Sequence, residues 1–503
     1  MNNPADIESE VGRLRDVLVR KDRRIELLEG LLAQAHALQF GSSSEKLPGD
    51  EQGLLFNESE EHCDIAPQFA LNDIVVPEHK RRKKKRISIP AELPREDIIY
   101  DLTDTEKFCP HDGTALKLIG HDQHEQLDII PAKIKVLRHL CQKYACPCCK
   151  SYVVSAKKPK QPIEKSIASP GLLAHIVTGK YADALPLYRQ VSILERSGIT
   201  LDRTSLANWM IHCGDLVQSI INRMLDILQQ QPVLHMDETP VQVLDEPGRR
   251  AQSKSYMWVI SSLQQSAQPA VLFHYSPTRN GDTPKLKLND FSGALMVDGY
   301  EGYQAACNEG QLIRLGCWAH ARRKFMDAKK QQVKGKSGRA DQVLSLIQQL
   351  YRVEKESAGY TIDQRYEIRQ KQSKLILSKL RKWLDKAIAN TPPKTAIGKA
   401  VQYLQNQWPR LTGYVEDGCY PIDNNRAENS IRPFVIGRKN WLFSASQKGA
   451  RSSANLYSII ETAKANGLEP YAYLKLLFTH LPSAETMEDI DVLLPWNCKS
   501  VVP

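Results

Sequence analysis

Strand-forming sequence is confined to one stretch of the chain, about residues 233–315, and helical patterns lie on both sides of it. Five short apolar runs stand there between clusters of Gly, Pro, Asn and Asp: Val233 to Met236, Tyr256 to Ile260, Val271 to His274, Ala294 to Val297 and Leu312 to Leu315. Three runs with antiparallel spacing, followed by a strand, a helix and another strand, predict a mixed sheet with helices. Because 503 residues exceed one ordinary domain, we expect three or four units.

Outside that stretch, helical periodicity covers most of the carboxyl-terminal two thirds of the chain. In residues 165–230 one helix is closed by Gly198 and the next is opened by the capping residue Asp202. The pair resembles a helix-turn-helix with Arg203 available to DNA, although plain helical hairpins share this pattern. Residues 326–414 predict an all-helical insertion, and residues 446–503 predict a helical carboxyl-terminal tail.

The amino-terminal segment, residues 1–46, predicts one long amphipathic helix. Its apolar residues recur at threes, fours and a seven between charged residues, as in a short coiled coil that would make homo-oligomers. A helix packed on its own protein is the alternative. The stripe consists of Ile7, Val11, Leu14, Leu18, Ile25, Leu28 and Leu32.

A linker with a basic arm follows in residues 47–106. The arm is a run of seven cations: Lys80, Arg81, Arg82, Lys83, Lys84, Lys85 and Arg86. Such a run is too repulsive for a protein interior, so it is either a solvated linker or an arm that binds phosphates. The net charge of +10 agrees with a polyanionic partner such as double-stranded DNA.

Five of the eleven cysteines fall between Cys109 and Cys149, which predicts a small zinc-ribbon-like module in residues 107–155 and a reducing compartment. Cys146 and Cys149 form a C-x-x-C pair that can grip one zinc ion. Upstream, Cys109 and His111 complete one candidate ligand set. Asp112 could replace His111, or the module could be held by packing without zinc.

Three carboxylates stand where an element begins or ends. Asp237 closes the first apolar run, Asp298 closes the fourth, and Glu428 lies in the first turn of a predicted helix. Brought together, they would form a cage of hard oxygen ligands for one or two Mg²⁺ or Mn²⁺ ions. Glu238 should point to the opposite face of the strand and take no part.

Each carboxylate also has an ordinary structural explanation. Asp298 precedes a glycine, as in a turn. Asn425 and Glu428 have the spacing of a capping box, and Asp237 could accept hydrogen bonds at a strand end. Together these explanations weaken, because an acidic residue at the end of two apolar strands is costly unless it is paired or binds a cation.

Basic residues and one aromatic residue lie close in sequence to the elements that carry the three carboxylates. A basic helix that contains His320 and Arg322 follows the fifth run, and Arg432 lies one helical turn after Glu428. Arg438 and Lys439 precede Trp441, on which a base could stack. We expect Arg322, Arg432, Arg438 and Lys439 to contact DNA.

Eight short motifs in order make the chain resemble the transposases of the insertion sequence 66 family over nearly its whole length. They are Phe40 to Lys46, the cysteine module with Glu125 to Asp128 and Lys143 to Cys146, Lys180 to Asp183, His235 to Thr239, Asp298 to Tyr300, Cys317 to His320, Asp423 to Glu428, and Leu493 to Trp496. Asp112 departs from the family pattern, where many relatives carry a fourth cysteine.

The resemblance implies a multidomain α+β protein with an RNase H-like catalytic domain in residues 231–325 and 415–445. It implies that Asp237, Asp298 and Glu428 are a DDE triad that cuts and joins DNA in a metal-dependent reaction. The partners would be the terminal inverted repeats, the target DNA and accessory proteins of the same element. Two alternatives are a catalytically silent DNA-binding regulator and an RNase H-like nuclease.

No apolar stretch approaches the ~20 residues that a membrane span needs. The acidic, polar amino terminus does not have the pattern of a signal peptide. We therefore expect a cytoplasmic and, in a bacterium, nucleoid-associated protein without a membrane partner.

Overall fold

The structure is a computed structural model that describes residues 134–145, 153–310, 312–331 and 338–502, scattered helical residues between 12 and 32, and a few positions between 95 and 117. The chain divides into two units: Pro67–Arg138, and a larger unit of Met1–Ala66 and His139–Pro503. The basic arm and the four predicted zinc ligands, Cys109, His111, Cys146 and Cys149, lie outside the described residues. Leu14, Leu18, Ile25, Leu28 and Leu32 of the predicted amino-terminal stripe are helical and exposed.

Four helices precede the sheet. They follow a short antiparallel pair, β1 (Lys143–Ala145) and β2 (Val153–Ser155), and are α1 (Pro170–Tyr181), α2 (Leu187–Arg196), α3 (Arg203–Leu216) and α4 (Gln218–Leu228). Asp202 caps α3 as predicted, since its carboxylate accepts a 2.8 Å hydrogen bond from the Ser205 amide. Gly198, after α2, has a φ of +79°, which glycine adopts without strain.

A mixed five-stranded path forms the centre of the larger unit. Its strands are β3 (Val233–Asp245), β4 (Lys254–Ser262), β5 (Val271–Ser276), β6 (Ala294–Val297) and β7 (Ile313–Gly316), in the order β5-β4-β3-β6-β7. The pairs β3–β4 and β4–β5 are antiparallel, whereas β3–β6 and β6–β7 are parallel. Two short helices, α5 (Asp282–Lys287) and α6 (Tyr303–Gly310), lie between the later strands. This confirms the predicted mixed sheet.

β3 is much longer than the predicted run that ends at Asp237. It continues to Asp245 because β4 pairs with it antiparallel from Leu234 to Gln242. The expectation that Asp237 closes a strand is therefore wrong for β3 itself. The same expectation holds for Asp298, because β6, the parallel neighbour of β3, ends at Val297.

The predicted helical insertion is helical where the structure describes it. Its elements are α7 (Trp318–Lys330), α8 (Arg339–Glu356), α9 (Ile362–Ile368), a π-helix (Arg369–Ser373), α10 (Lys374–Asn390), α11 (Ala396–Thr412) and a 3₁₀ turn (Gly413–Glu416). These helices build a second core around Leu350, Leu380 and Leu404. The indole N–H of Trp318 donates to the Leu411 carbonyl at 2.7 Å and so ties α7 to the end of the insertion.

The chain returns to the sheet through α12 (Asn425–Trp441) and β8 (Ser444–Ser446), which pairs parallel with the far end of β3. It then forms α13 (Gln447–Ala465), α14 (Pro470–His480), a 3₁₀ turn (Leu481–Ser483), α15 (Met487–Val492) and a last 3₁₀ turn (Pro495–Asn497). Among the described residues, no helix combines the length and apolarity that crossing a membrane requires.

The helices before and after the sheet share one hydrophobic core with it. The rings of Phe273, Phe434 and Tyr457 meet at centroid distances of 5.3–6.2 Å, which joins β5, α12 and α13. Tyr181 of α1 meets the Tyr457 ring edge-on at 5.0 Å. The helices of residues 165–230, expected to form a DNA-binding region, are thus packed on the sheet and do not stand apart as an independent body.

Candidate functional site

Asp237 and Asp298 come together because β3 and β6 are parallel and in register. The pairs Val233–Ala294, Leu234–Leu295 and His235–Met296 define the register. Two residues further along, Asp237 stands opposite Asp298, and residues opposite each other in neighbouring strands point to the same face. The sheet thus brings two carboxylates, 61 positions apart in the chain, to one face at the end of β6.

Negative charge is concentrated around Asp237. Withdrawal from water is the main reason why the pKa of the Asp237 carboxyl lies well above its ordinary value. The carboxylates of Glu238, Glu428 and, to a smaller extent, Asp298 raise this pKa further. The Glu238 amide donates to Asp237 Oδ1 at 2.9 Å and opposes the shift. The third predicted carboxylate, Glu428, is therefore close enough to interact with Asp237.

Glu428 reaches this face from the first turn of α12. The helix begins after Asn424, whose backbone amide donates to Cys317 Sγ at 3.2 Å. The Asn424 side chain donates to the Met236 carbonyl at 2.9 Å, and its Oδ1 lies 3.0 Å from Nδ1 of the buried His235. These contacts attach the start of α12 to β3 one residue from Asp237. This positioning role of Asn424 was not predicted from the sequence.

The capping-box interpretation of Glu428 is wrong. Asn424, not Asn425, precedes the first helical residue, and the Asn424 side chain accepts no capping hydrogen bond. The Glu428 side chain turns instead toward α7, where Oε2 accepts a 3.0 Å hydrogen bond from Arg323 Nη2. The other oxygen, Oε1, lies 3.4 Å from His320 Nδ1. Glu428 is only 4% exposed, so its charge is almost fully withdrawn from water.

Glu428 Oε1 and His320 Nδ1 are both buried, and neither has a hydrogen-bond partner among the described residues. A buried polar atom that makes no hydrogen bond costs free energy and calls for an explanation. Burial lowers the pKa of His320, and the Glu428 carboxylate opposes that shift, as does Asp298 to a smaller extent.

Cys317 completes a group of three potential metal ligands. Donor atoms of Cys317, His320 and Glu428 all lie within 4.8 Å of one another, and Asp237 and Asp298 are not members of this group. Burial, followed by the charges of Asp423 and Glu428, raises the pKa of the Cys317 thiol well above its ordinary value. The sequence shows Cys317 and His320 three residues apart, a spacing that could indicate two metal ligands. It does not show that both lie close to Glu428, which is 108 positions after His320.

Glu238, next to Asp237, belongs to a different environment. Arg279 Nε donates to Glu238 Oε1 at 2.7 Å, and the Tyr303 hydroxyl donates to Oε2. The Glu238 side chain is 2% exposed, and both its oxygens accept hydrogen bonds. This agrees with the expectation that Glu238 points away from the carboxylate site.

The donor set suits a divalent cation. Asp237, Asp298 and Glu428 offer hard carboxylate oxygens, which Mg²⁺ and Mn²⁺ prefer. Glu428 Oε1 is buried without a hydrogen bond, and Asp237 is buried beside other carboxylates, whose mutual repulsion a cation would relieve. The residues present therefore fit such a metal.

The residues predicted to contact DNA have different surroundings. Arg203 is exposed at the start of α3 and Lys439 is exposed on α12, whereas Arg432 is half-buried. Arg438 donates to Thr239 Oγ1 at 2.9 Å and to the Pro240 carbonyl, beside the carboxylates. Arg322 is buried on α7 at 8% exposure, because its side of the helix faces the protein. Arg323, which the sequence analysis did not select, faces Glu428 instead.

Models of known families match most of the chain. The model described as "Transposase IS66 family" matches residues 165–452, and "IS66 C-terminal element" matches residues 458–496. "Zinc-finger binding domain of transposase IS66" matches residues 106–150, which coincides with the predicted cysteine module. "Transposase C of IS166 homeodomain" matches residues 27–98, a range that includes the basic arm.

Similar proteins occur in Sinorhizobium fredii (strain NBRC 101917 / NGR234). The uncharacterized protein y4qI is 32% identical over 98% of this chain and 92% of its own length. The uncharacterized protein y4jD is 33% identical over 82% of each chain. No solved structure matches. With a family model that covers more than half of its residues and a relative similar over nearly its full length, the chain belongs to the IS66 family of transposases.

Proposed function

We propose that this protein is a DDE transposase that cuts DNA at the ends of its insertion sequence and joins those ends to target DNA, with Asp237, Asp298 and Glu428 as catalytic residues. One observation carries the proposal. Two carboxylates in register on parallel strands stand within electrostatic range of a buried third, one oxygen of which has no hydrogen bond. The mixed sheet with its helical insertion is compatible with an RNase H-like catalytic domain.

The three carboxylates would hold the divalent cation, Mg²⁺ or Mn²⁺. Bound there, the metal supplies Lewis-acid stabilisation of the phosphodiester and an activated oxygen nucleophile. Arg323 holds Glu428 Oε2, which leaves Oε1 without a hydrogen bond and available to a metal. Asn424 and His235 fix the start of α12 to β3 and so maintain the separation between Glu428 and Asp237.

DNA would be bound by cations around the carboxylate face and in the amino-terminal arm. Arg438 lies against β3 just beyond Asp237, and Lys439 follows it on an exposed position of α12. Contacts of this kind bind phosphates without reading sequence. We propose that recognition of the terminal inverted repeats belongs to the residues before the sheet, and that the amino-terminal helix joins copies of the chain.

The test is cleavage of labelled duplex DNA that carries an element end, with the full chain and Mg²⁺ or Mn²⁺. We expect Asp237→Asn, Asp298→Asn and Glu428→Gln each to lower cleavage and strand transfer by about 10³-fold or more, because each removes one charged ligand oxygen from the charge-stabilising machinery. Binding of the end DNA should persist. Asp245→Asn, at the exposed far end of β3, is the matched control and should cleave normally.

Three outcomes would contradict the proposal. Normal strand transfer by any of the three variants would remove that residue from the site. A mobility shift without nicking by the unmodified protein would indicate a DNA-binding regulator. Equal cleavage of DNA that lacks the element ends would indicate a nonspecific nuclease.

A further inference from the structure

The amino-terminal end of α7 carries a group of softer donors beside the carboxylate site. Cys317 precedes the first residue of α7, and His320 lies one turn further along. Glu428 comes from α12, and its carboxylate meets both side chains, with the donor atoms of all three within 4.8 Å of one another. One sulfur, one imidazole nitrogen and one carboxylate oxygen therefore surround a common point.

The unpartnered atoms of this group point at each other. Glu428 Oε1 and His320 Nδ1, 3.4 Å apart, have no hydrogen-bond partner among the described residues. Glu428 is 96% buried, so the cost of leaving Oε1 without a partner is substantial. Arg323 occupies only the other oxygen, Oε2. A cation between Oε1 and the imidazole would satisfy both atoms at once.

The group has the composition of a zinc site with one open position. Thiolate and imidazole ligands favour Zn²⁺ and Co²⁺, whereas Mg²⁺ favours oxygen ligands. Three protein ligands and one exchangeable position are typical of zinc sites that are not purely structural. The amide of Asn424 already donates to Cys317 Sγ, as an outer partner of a metal-bound thiolate would. The side chain of His320 is 22% exposed, which opens the site to solvent.

We propose that Cys317, His320 and Glu428 form a second metal site, selective for Zn²⁺ or Co²⁺, whose occupation takes Glu428 Oε1 away from the catalytic carboxylates. Binding displaces the thiol proton of Cys317 to solvent and leaves the fourth position to water. The inhibitory consequence rests on the proposed function, but the binding itself does not. Zinc would then act as an inhibitor of the magnesium-dependent reaction by competing for one shared ligand.

Cobalt titration of the full chain tests the binding. Because other cysteines of the chain can also bind cobalt, the informative quantity is the difference between variants. Cys307, a buried cysteine of α6 outside the site, provides the matched control. We expect the unmodified protein and Cys307→Ser to bind one more equivalent of Co²⁺ than Cys317→Ser, with a stronger sulfur-to-cobalt absorption band.

His320→Ala keeps the thiol and replaces a partly exposed residue, so it provides a second test should Cys317→Ser fold poorly. We expect it to weaken this one cobalt site by at least about 100-fold, because loss of a ligand costs more than the roughly 10- to 100-fold that loss of an outer-shell partner costs. Equal stoichiometry and equal sulfur-to-cobalt absorption in His320→Ala, Cys307→Ser and the unmodified protein would overturn the proposal.

The inhibition is tested in the cleavage assay with Mg²⁺ and increasing Zn²⁺. We expect zinc to inhibit the unmodified protein and Cys307→Ser at concentrations at least about tenfold below those that inhibit His320→Ala, each compared with its own activity without zinc. Equal sensitivity would overturn the competition for Glu428. If no protein cleaves DNA, the proposed function has failed, and the cobalt titration still decides whether the site exists.

Discussion

Neighbouring acidic residues on the two faces of β3 have different electrostatic surroundings. On what we term the back face, Glu238 is buried but receives hydrogen bonds from Arg279 and Tyr303, so both its oxygens have partners. On the front face, Asp237 meets the like charges of Glu428 and Asp298, and its pKa is raised by burial first, then by the charge of Glu238, and then by these two carboxylates. The back face pairs both oxygens of its carboxylate within the protein, whereas on the front face Arg323 pairs only one oxygen of Glu428 and the other is left without a hydrogen bond.

We propose that the difference separates a structural carboxylate from a functional one. A buried charge that is paired and hydrogen-bonded maintains the fold, and removal of its partner is costly. Without a ligand, a cluster of like charges destabilises the protein. Such a cluster is retained where a cation or a substrate compensates its charge. Burial alone does not distinguish the two, because Glu238 and Glu428 are both almost fully withdrawn from solvent.

The largest contrast should appear in cleavage by variants of the two adjacent residues. We expect Asp237→Asn to lose about 10³-fold or more in cleavage, since it removes a ligand oxygen, and Glu238→Gln to stay within about tenfold of the unmodified protein when equal amounts of folded protein are compared. Labelled-DNA cleavage with circular dichroism on the same samples measures both. A loss in Glu238→Gln equal to that in Asp237→Asn would remove the distinction between the faces.

Stability should show the reverse order. Arg279→Ala leaves Glu238 buried without its cation, and we expect the free energy of unfolding to fall by about 2 to 3 kcal/mol, less than for a fully buried pair because water reaches the guanidinium. Glu428→Gln relieves repulsion on the front face but loses the ion pair with Arg323, so the two effects oppose each other and the free energy of unfolding should change by less than about 1 kcal/mol. Urea denaturation of the metal-free protein measures both, and equal losses would contradict the comparison.

His274, on the edge strand β5, shows what burial beside cations does to the pKa of a titratable group. Burial, helped by the charges of Lys287 and Arg451, lowers the pKa of His274 to about 3. The native state therefore binds fewer protons than the unfolded state, in which the pKa is about 6.5, and stability is lost as pH falls from about 6.5 toward 3. At pH 5 we expect this loss to be about 1 to 2 kcal/mol.

Urea denaturation at several pH values measures the contribution of His274. His274→Gln should remove this part of the pH dependence, while His175→Gln, an exposed histidine on α1, should leave it unchanged. An unaltered slope in His274→Gln would show that His274 is charged in the native protein.

The smallest catalytic effect concerns the cation that links α7 to the front face. Arg323→Ala should lower cleavage by about tenfold, because Glu428 loses the contact that orients Oε2. The free energy of unfolding should fall by up to about 2 to 3 kcal/mol, as in Arg279→Ala, because both guanidinium groups are partly exposed beside a buried carboxylate. Arg323→Lys should restore part of the activity. Cleavage that falls only in proportion to the amount of folded protein would make Arg323 a structural residue instead.

Short-range patterns predicted most elements but not how they meet. The five runs between 233 and 315 became β3 to β7 because alternating apolar residues and turn-forming clusters are local signals. The extension of β3 past Asp237 was missed, since Thr239 to Asp245 are held as a strand by pairing with β4. Likewise, the spacing of Asn425 and Glu428 indicated a capping box, but contacts with α7 direct the Glu428 side chain elsewhere.

The sequence by itself predicted most of the elements, the family and the three candidate carboxylates, because these predictions depend on residue types at short spacing and on motifs in a fixed order. Only the tertiary structure decided which side chains share a space. The register of β3 with β6 aligns Asp237 with Asp298, and the packing of α12 on α7 brings Glu428 to Cys317 and His320. Such contacts join residues far apart in the chain, so they arise from the burial of apolar surface over the whole core.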